Sequence, residues 1–468
     1  MRWIYVTVVL SALFWARAGT NAARAAVAEP NVVVVLTDDQ STWDLAQMPN
    51  VQTLLRANGI TYTHYVDNNP LCAPSRASIL TGRTSAHDGV WDNNNKAYGG
   101  YTAFAAGSYT DNDLFTWMHA AGYQTSLDGK FMNGYVTADG IPAGVDDSHI
   151  ILLGNSRLGD GEATTGGYFK YATVDDGVIT QHGSAASDYS TTVLGQDAVR
   201  FIDTSNPGRP LFLYYAPHAP HQPATPEPKY VDAPQCDLPS PRTPDYYAIG
   251  TGAPPWEQLL APPDPTRQDL LMQLRCETLL SVDDQVGDIV QALQNTGRLH
   301  NTLIIFASDN GFSLGQHDWQ GKNVPFNESD TIPLVVRWDA DPMIRADTTN
   351  SNLVEDIDLP ATIAQSAGAP MWPSDGIDFL THVRTVAPIS HAIQEAGSVP
   401  AYCGLIEGTL KYAFYQDGSQ TLYDSFGSDP YELDNLAGEP WEGREDASMR
   451  ATATQDACTP SPPRWTVK

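Results

Sequence analysis

Asn31-Val32-Val33-Val34-Val35-Leu36-Thr37-Asp38-Asp39-Gln40 is the stretch on which the fold is read. The unbroken β-branched run predicts a strand buried on both faces, as in parallel sheets covered by helices. It stops at two adjacent carboxylates. In open α/β sheets ligands gather beyond the carboxyl ends of strands, and two neighbouring carboxylates there repel unless a cation lies between them. Hard oxygen ligands of this kind suit calcium or magnesium.

Working outward, the same pattern recurs. Pro210-Leu211-Phe212-Leu213-Tyr214-Tyr215 reads as a second buried strand, ending in Ala216-Pro217-His218-Ala219-Pro220-His221-Gln222-Pro223, which cannot be helical. Thr302-Leu303-Ile304-Ile305-Phe306-Ala307 reads as a third and ends in Ser308-Asp309-Asn310-Gly311, again oxygen ligands at a strand end. Ile332-Pro333-Leu334-Val335-Val336-Arg337 reads as a fourth, and Tyr123 to Leu127 as a strand ending at Asp128-Gly129-Lys130. Helices are expected over 48–58, 113–121, 189–202, 269–294 and 354–368, with Leu270, Leu274, Leu279, Val282, Val286 and Ile289 forming the stripe of the long one. This alternation predicts an α/β fold, a parallel sheet with crossover helices. Residues 133–186 read as mostly irregular, and 223–265 as a proline-rich surface excursion. Beyond about residue 375 the pattern changes to a hairpin, Tyr412–Tyr415 and Thr421–Tyr423 around Asp417-Gly418, in a small antiparallel sheet.

Composition narrows the function. The 468 residues carry a formal net charge of −29 and no basic run, so nucleic acid is an unexpected partner. Residues 1–25 read as a signal peptide: Arg2, then an apolar stretch from Trp3 to Trp15, then small-x-small cleavage sites such as Ala23-Arg24-Ala25. The stretch is too short for a comfortable membrane span, and no other apolar run approaches that length. The expectation is a secreted or periplasmic protein with a main domain over 26–375 and a smaller one over 376–468. Of five cysteines, Cys236 with Cys276 and Cys403 with Cys458 would be sequence-local pairs, although spacing leaves the pairing open. Cys72 would then be the odd one.

Cys72 opens Cys72-Ala73-Pro74-Ser75-Arg76-Ala77-Ser78-Ile79-Leu80-Thr81-Gly82-Arg83, a turn-like stretch running into a possible helix start at Ala77. A thiol at a helix N-terminus favours its thiolate, which on residue chemistry alone describes an ordinary cysteine nucleophile.

The segment also resembles, at every defined position of Cys72-x-Pro74-Ser75-Arg76-x-x-x-Leu80-Thr81-Gly82-Arg83, the signature of the type I sulfatases. The resemblance extends to Leu36–Gln40, Gly129-Lys130, Pro220-His221-x-Pro223, Ser308–Gly311, Gly321-Lys322, Leu422–Asp424 and Asp429–Leu436, nearly all of the mature chain. Asp38-Asp39-Gln40 and Gly129–Asn133 look most like the glucosamine-6-sulfatase and arylsulfatase branch. The resemblance implies an alkaline-phosphatase-like fold, a large mixed, mostly parallel sheet flanked by helices, with a smaller C-terminal antiparallel subdomain. It implies a sulfuric ester hydrolase in which a formylglycine-generating enzyme has converted Cys72 to Cα-formylglycine. The aldehyde hydrate attacks sulfur, and the remaining hydroxyl expels sulfate.

Carried over residue by residue, Asp38, Asp39, Asp309 and Asn310, with modified Cys72, match the ligands of a calcium ion, magnesium being possible. Arg76 matches the arginine supporting the hydrate. Lys130 and Lys322 match the lysines holding sulfate oxygens, and His221 the histidine protonating the leaving group, with His218 a second candidate. His317 is expected to line the substrate pocket. One position departs: Met132 stands where many sulfatases carry a histidine that takes a proton from the hydrate, so the base is unassigned. The sequon Asn327-Glu328-Ser329 is expected to be unmodified because it lies near the pocket. Two other readings are a phosphonate or phosphate ester hydrolase on the same scaffold, and a non-catalytic anion-binding relative with an unmodified cysteine. The acidic surface favours a sulfated small molecule or glycan, a small sulfated sugar or an aryl sulfate, over long sulfated polymers.

Overall fold

The computed structural model describes residues 29–153, 167–391, 399–438 and 443–459. The predicted signal segment lies outside the described residues.

The valine run forms the strand Asn31–Thr37, with every residue buried. It is the fifth strand from one edge of a ten-stranded sheet. From that edge the order is Thr348–Glu355, Ile60–Val66, Leu334–Arg337, Thr302–Ser308, Asn31–Thr37, Leu211–Ala216, Gln124–Gly129, Asp147–Leu152, Ala172–Asp175 and Val178–Gln181. The central strands Thr302–Ser308, Asn31–Thr37, Leu211–Ala216 and Gln124–Gly129 run parallel, so their carboxyl ends share one edge.

Both faces of the sheet are covered, which is why its strands read as continuous apolar runs. Val32, Val34 and Leu36 pack with Ala73, Ala77 and Leu80 of the helix Cys72–Thr81, and with Leu114–Ala120 and Asp358–Ala367. Val33 and Val35 face Leu194, Ala198 and Phe201 of Ser190–Thr204, and Leu279, Val282 and Val286 of Pro265–Asn295. The stripe expected on the long helix holds except at Leu270, which is exposed.

Several local expectations are corrected. Residues 133–186 contain three strands of the main sheet, 147–152, 172–175 and 178–181. Their mixed polar sequences carry little signal, and pairing with the neighbouring strand decides their state. Val354 and Glu355 end an edge strand, and the following helix begins only at Asp358. The strand Leu334–Arg337 is antiparallel to both neighbours, so the sheet is mixed. Residues 51–58 form short π and 3-10 turns rather than an α-helix. The helix expected from Ala77 already starts at Cys72. Pro74 falls within its first turn, where a missing N–H breaks no helical bond.

A second sheet, Val386–His391, Tyr402–Glu407, Leu410–Tyr415 and Gln420–Tyr423, is wholly antiparallel and includes the expected hairpin. The helix Gly443–Asp456 packs on it through Met449 and Ala453. Both sequence-local cysteine pairs are formed, Cys236 with Cys276 and Cys403 with Cys458, and Cys72 is free and buried.

Candidate active site

Register builds the site. Thr37 pairs with Ser308, so the chain leaves two adjacent strands at the same level, carrying Asp38-Asp39 beside Asp309-Asn310. The Asp309 N–H donates to the Thr37 carbonyl at 3.0 Å, and the Asp39 N–H to Asp309 Oδ1 at 3.0 Å. On the other side Gly129 pairs with Ala216, and the Lys130 N–H donates to the Ala216 carbonyl at 2.8 Å. Gly129 has φ +129°, and a Cβ there would collide with the Ala216 carbonyl oxygen, so glycine is what lets Lys130 follow so closely.

The helix Cys72–Thr81 delivers its first residue to this edge. Cys72 Sγ lies 3.5 Å from Asp38 Oδ1 and accepts from Lys322 Nζ at 2.8 Å. Lys322 Nζ also bonds Asp39 Oδ1 and lies 3.3 Å from Asn310 Oδ1. One turn on, Arg76 is fully buried; its Nε donates to Asp309 Oδ2 at 2.9 Å and an Nη to the Lys130 carbonyl at 2.8 Å. Lys130 Nζ binds Asp38 Oδ2 at 2.6 Å. His218 Nδ1 donates to the same oxygen at 3.0 Å. His221 Nδ1 donates to the Gln222 carbonyl at 2.6 Å, leaving Nε2 facing Asp39 Oδ2 at 3.8 Å. The two imidazole centroids are 4.6 Å apart.

The electrostatics follow from three buried carboxylates among cations. Burial opposes ionisation of Asp38, but Lys130, His221, His218 and Arg76 hold its carboxyl well below the usual range. Burial opposes Asp39 too, and Lys322 and His221 outweigh it. Asp309 is pushed up by burial and by Asp38 despite Arg76. Burial and neighbouring His221 bring His218 down to about 4. Burial would also lower His221, but Asp39 and Asp38 raise it to about 9.

The donor set fits a hard divalent cation. Asp38, Asp39 and Asp309 with Asn310 offer carboxylate and amide oxygens, and Cys72 and His221 lie within ligand reach of the aspartate pair. The ammonium of Lys322 stands among Asp39, Asn310 and Cys72, showing that the cage accommodates positive charge.

Ten of the eleven sequence-predicted residues therefore converge: Asp38, Asp39, Cys72, Arg76, Lys130, His218, His221, Asp309, Asn310 and Lys322. His317 is elsewhere; its ring is buried, with Nδ1 3.2 Å from Glu257 Oε1 and Nε2 3.8 Å from Asp245 Oδ2. Met132 is buried in the core. Asn327 of the sequon has its amide engaged, donating to the Pro430 carbonyl at 3.1 Å and accepting from Lys411 at 2.7 Å. Sequence reasoning missed Arg275, on the long helix. It donates to the Asp39 carbonyl at 2.8 Å and to Asp44 Oδ2 at 2.6 Å, fixing the turn in which Asp39 has φ +70°. An arginine within the helix's apolar stretch was the available signal.

The Sulfatase family profile matches residues 30–369, and the chain belongs to that family. Human N-acetylglucosamine-6-sulfatase is 32% identical over 384 residues, 78% of this chain and 66% of the human protein. The chain thus matches just under two thirds of that relative's length. Among solved structures, one of a protein in complex with its substrate D-glucosamine-2-N,6-O-disulfate superposes with TM-score 0.75 at 21% identity, covering 93% of this chain and 99% of the other. The phosphonate monoester hydrolase of Silicibacter pomeroyi superposes with TM-score 0.67 at 19% identity, covering 91% and 94%. These two likenesses establish the shared fold, the large mixed sheet with its small antiparallel companion.

Proposed function

We propose that the protein is an exported, calcium-dependent sulfatase that hydrolyses sulfate esters of an amino sugar, glucosamine 6-sulfate being the leading class, after conversion of Cys72 to formylglycine. The observation that carries the reading is the placement of Cys72 Sγ between Asp38 Oδ1 and Lys322 Nζ, at the rim of the Asp38, Asp39, Asp309 and Asn310 cage. The family match and the sugar sulfatase relative support it.

The cation, held by Asp38, Asp39, Asp309, Asn310 and residue 72, would supply Lewis acidity toward the nucleophilic oxygen and the sulfate. Formylglycine, as its hydrate, would supply one hydroxyl to attack sulfur and a second through which sulfate leaves. The remaining roles belong to side chains around residue 72. Lys322, already bonded to Sγ, reaches the position that sulfate oxygens would take beside residue 72. Lys130 stays charged because Asp38, 2.6 Å from its Nζ, outweighs its burial, so it can stabilise negative charge developing there. Arg76 holds Asp309 and the Lys130 backbone in place. His221 is protonated at neutral pH and presents Nε2 toward the cage, which suits the donor to the leaving alcohol. His218 is neutral and gives its Nδ1 proton to Asp38, so its Nε2 carries a lone pair. We assign it the base role that Met132 leaves open. Two imidazoles driven apart in pKa are the arrangement an acid and a base require.

Mass spectrometry of the tryptic peptide containing residue 72 tests the modification, and sulfate release from defined sulfated monosaccharides tests the substrate. A free thiol in fully active protein would sink the mechanism. The second reading, a phosphonate ester hydrolase, is favoured by the Silicibacter structure; equal or faster turnover of an aryl phosphonate than of the matching sulfate would establish it.

A further inference from the structure

A second polar cluster lies buried beside the loop that carries Lys322 and takes no part in the chemistry at residue 72. Asp245 comes from the proline-rich excursion, Glu257 from the 3-10 turn Glu257–Leu259, His317 from the loop after Ser313–Leu314, and Glu328 from the short helix Asn327–Asp330. Their exposures are 0, 0, 1 and 8%. No lysine or arginine pairs with these three carboxylates among the described residues; the nearby Lys411 is committed to Asp330 and Glu432.

His317 is held so that one nitrogen is left over. Its backbone N–H donates to the Asp245 carbonyl at 2.9 Å, and its ring stacks on Phe326 at 3.7 Å. A carboxylate can only accept, so Nδ1 is the donor to Glu257 Oε1. Nε2 has no hydrogen-bond partner and points to Asp245 Oδ2 at 3.8 Å. Glu257 Oε2 is likewise unpartnered, and the Asp245 and Glu328 carboxyls face each other with no donor to either Asp245 oxygen or to Glu328 Oε2. One potential ligand atom from each of Asp245, His317 and Glu328 lies within 4.8 Å of the other two. Buried polar groups normally find partners, and an unfilled set of this size points to something that binds there.

We propose that His317 Nε2, Asp245 and Glu328 form a second metal site for a divalent cation of the zinc class, with Glu257 orienting the imidazole through Nδ1. A carboxylate hydrogen-bonded to the far nitrogen of a ligating histidine is the usual outer partner of such a site. One imidazole and two carboxylates suit zinc or manganese, whereas the oxygen cage at Asp38 suits calcium. Glu328 also lines a cavity of about 330 Å³ with Thr42, Thr243, Asn327 and Thr331. The bound ion would pin the excursion to the loop five residues before Lys322. Without it, burial and neighbouring Asp245 push the Glu328 carboxyl up, and a proton shared between the two acids is the competing state.

The test uses the full-length protein saturated with calcium, titrated with zinc against a chromophoric chelator. Zinc and calcium contents are read together by plasma mass spectrometry, and cobalt substitution is followed by visible absorption. We expect one zinc equivalent taken up with calcium retained, a cobalt spectrum of comparable stoichiometry, and loss of that equivalent in Glu328→Gln. In Glu257→Gln zinc affinity should fall roughly 10- to 100-fold with stoichiometry kept. Zinc binding only by displacement of calcium would overturn the site, as would unchanged affinity in either variant. Should Glu328→Gln fail to fold, the wild-type titration and Glu257→Gln decide the matter. None of these readouts depends on the reaction at Cys72.

Discussion

At the scale of single residues, His218 and His221 divide what a lone histidine could not do. Both lie in the turn after Leu211–Ala216, yet His218 is nearly buried against Asp38 while His221 is about a third exposed and faces Asp39. If His221 is the acid, His221→Asn should slow sugar sulfates by about 10²–10⁴-fold, and activated aryl sulfates, whose leaving groups need no proton, much less. The wild-type rate on sugar sulfates should fall at alkaline pH, as His221, which Asp39 and Asp38 raise above the ordinary histidine value, loses its proton. If His218 is the base, His218→Asn should leave a burst of alcohol release followed by slow sulfate release in rapid-quench kinetics. Asp128 gives a stability prediction of a different kind. Its Oδ2 accepts from Ser126 at 2.7 Å, its Oδ1 has no partner, and burial raises the carboxyl to about 8. The folded protein therefore keeps a proton that the unfolded chain releases near pH 4. The stability this contributes is full at acid pH and lost as pH rises toward about 8, by up to about 1.4 kcal/mol per pH unit. Asp128→Asn should remove that loss, so melting temperatures of variant and wild type should diverge between pH 5 and 8 in favour of the variant.

At the scale of elements, the helix Cys72–Thr81 and the long helix Pro265–Asn295 do the positioning. The first carries Cys72 and Arg76 one turn apart, so both face the strand ends. It ends at Gly82, whose left-handed φ of +68° and N–H to the Ser78 carbonyl close the last turn. The second brings Arg275 under Asp39 and, one residue on, Cys276 to Cys236 of the excursion. That bridge staples a proline-rich segment with little regular structure to the core. Replacing both cysteines by serine should lower stability by about 2–4 kcal/mol, read as a denaturant midpoint. Limited proteolysis should then cut first within 223–265. The apolar stripe of this helix was legible from spacing; Arg275 inside it was not, because only the fold shows which carbonyl it meets.

At the scale of the molecule, the small sheet is bound into the large one at the site's back. Ser390 N–H donates to the Asn68 carbonyl at 2.7 Å, just before the Cys72 helix. Lys411, 1% exposed, bonds Asp330 at 2.8 Å and Glu432 at 2.9 Å. We infer that the division near residue 375 separates two sheets but not two independently stable units. Lys411→Met should leave two buried carboxylates uncompensated and cost about 3–5 kcal/mol, measured by chemical denaturation, with both sheets unfolding in one transition. The sequence alone determined the doubly covered sheet, because only strands buried on both faces read as Val32–Leu36 or Leu303–Phe306 do. It also determined the carboxylates and the Cys72 segment, because chemistry at strand ends needs those residue types. Tertiary structure decided the rest. The polar outer strands take their state from neighbours, and Leu334–Arg337 takes its direction from the sheet. His317 sits in a separate acidic cluster through loop geometry that spacing does not encode. Asp38 and Asp309 meet because the register Thr37 to Ser308 aligns two segments 271 residues apart in the chain, a pairing fixed by packing on both faces of the sheet.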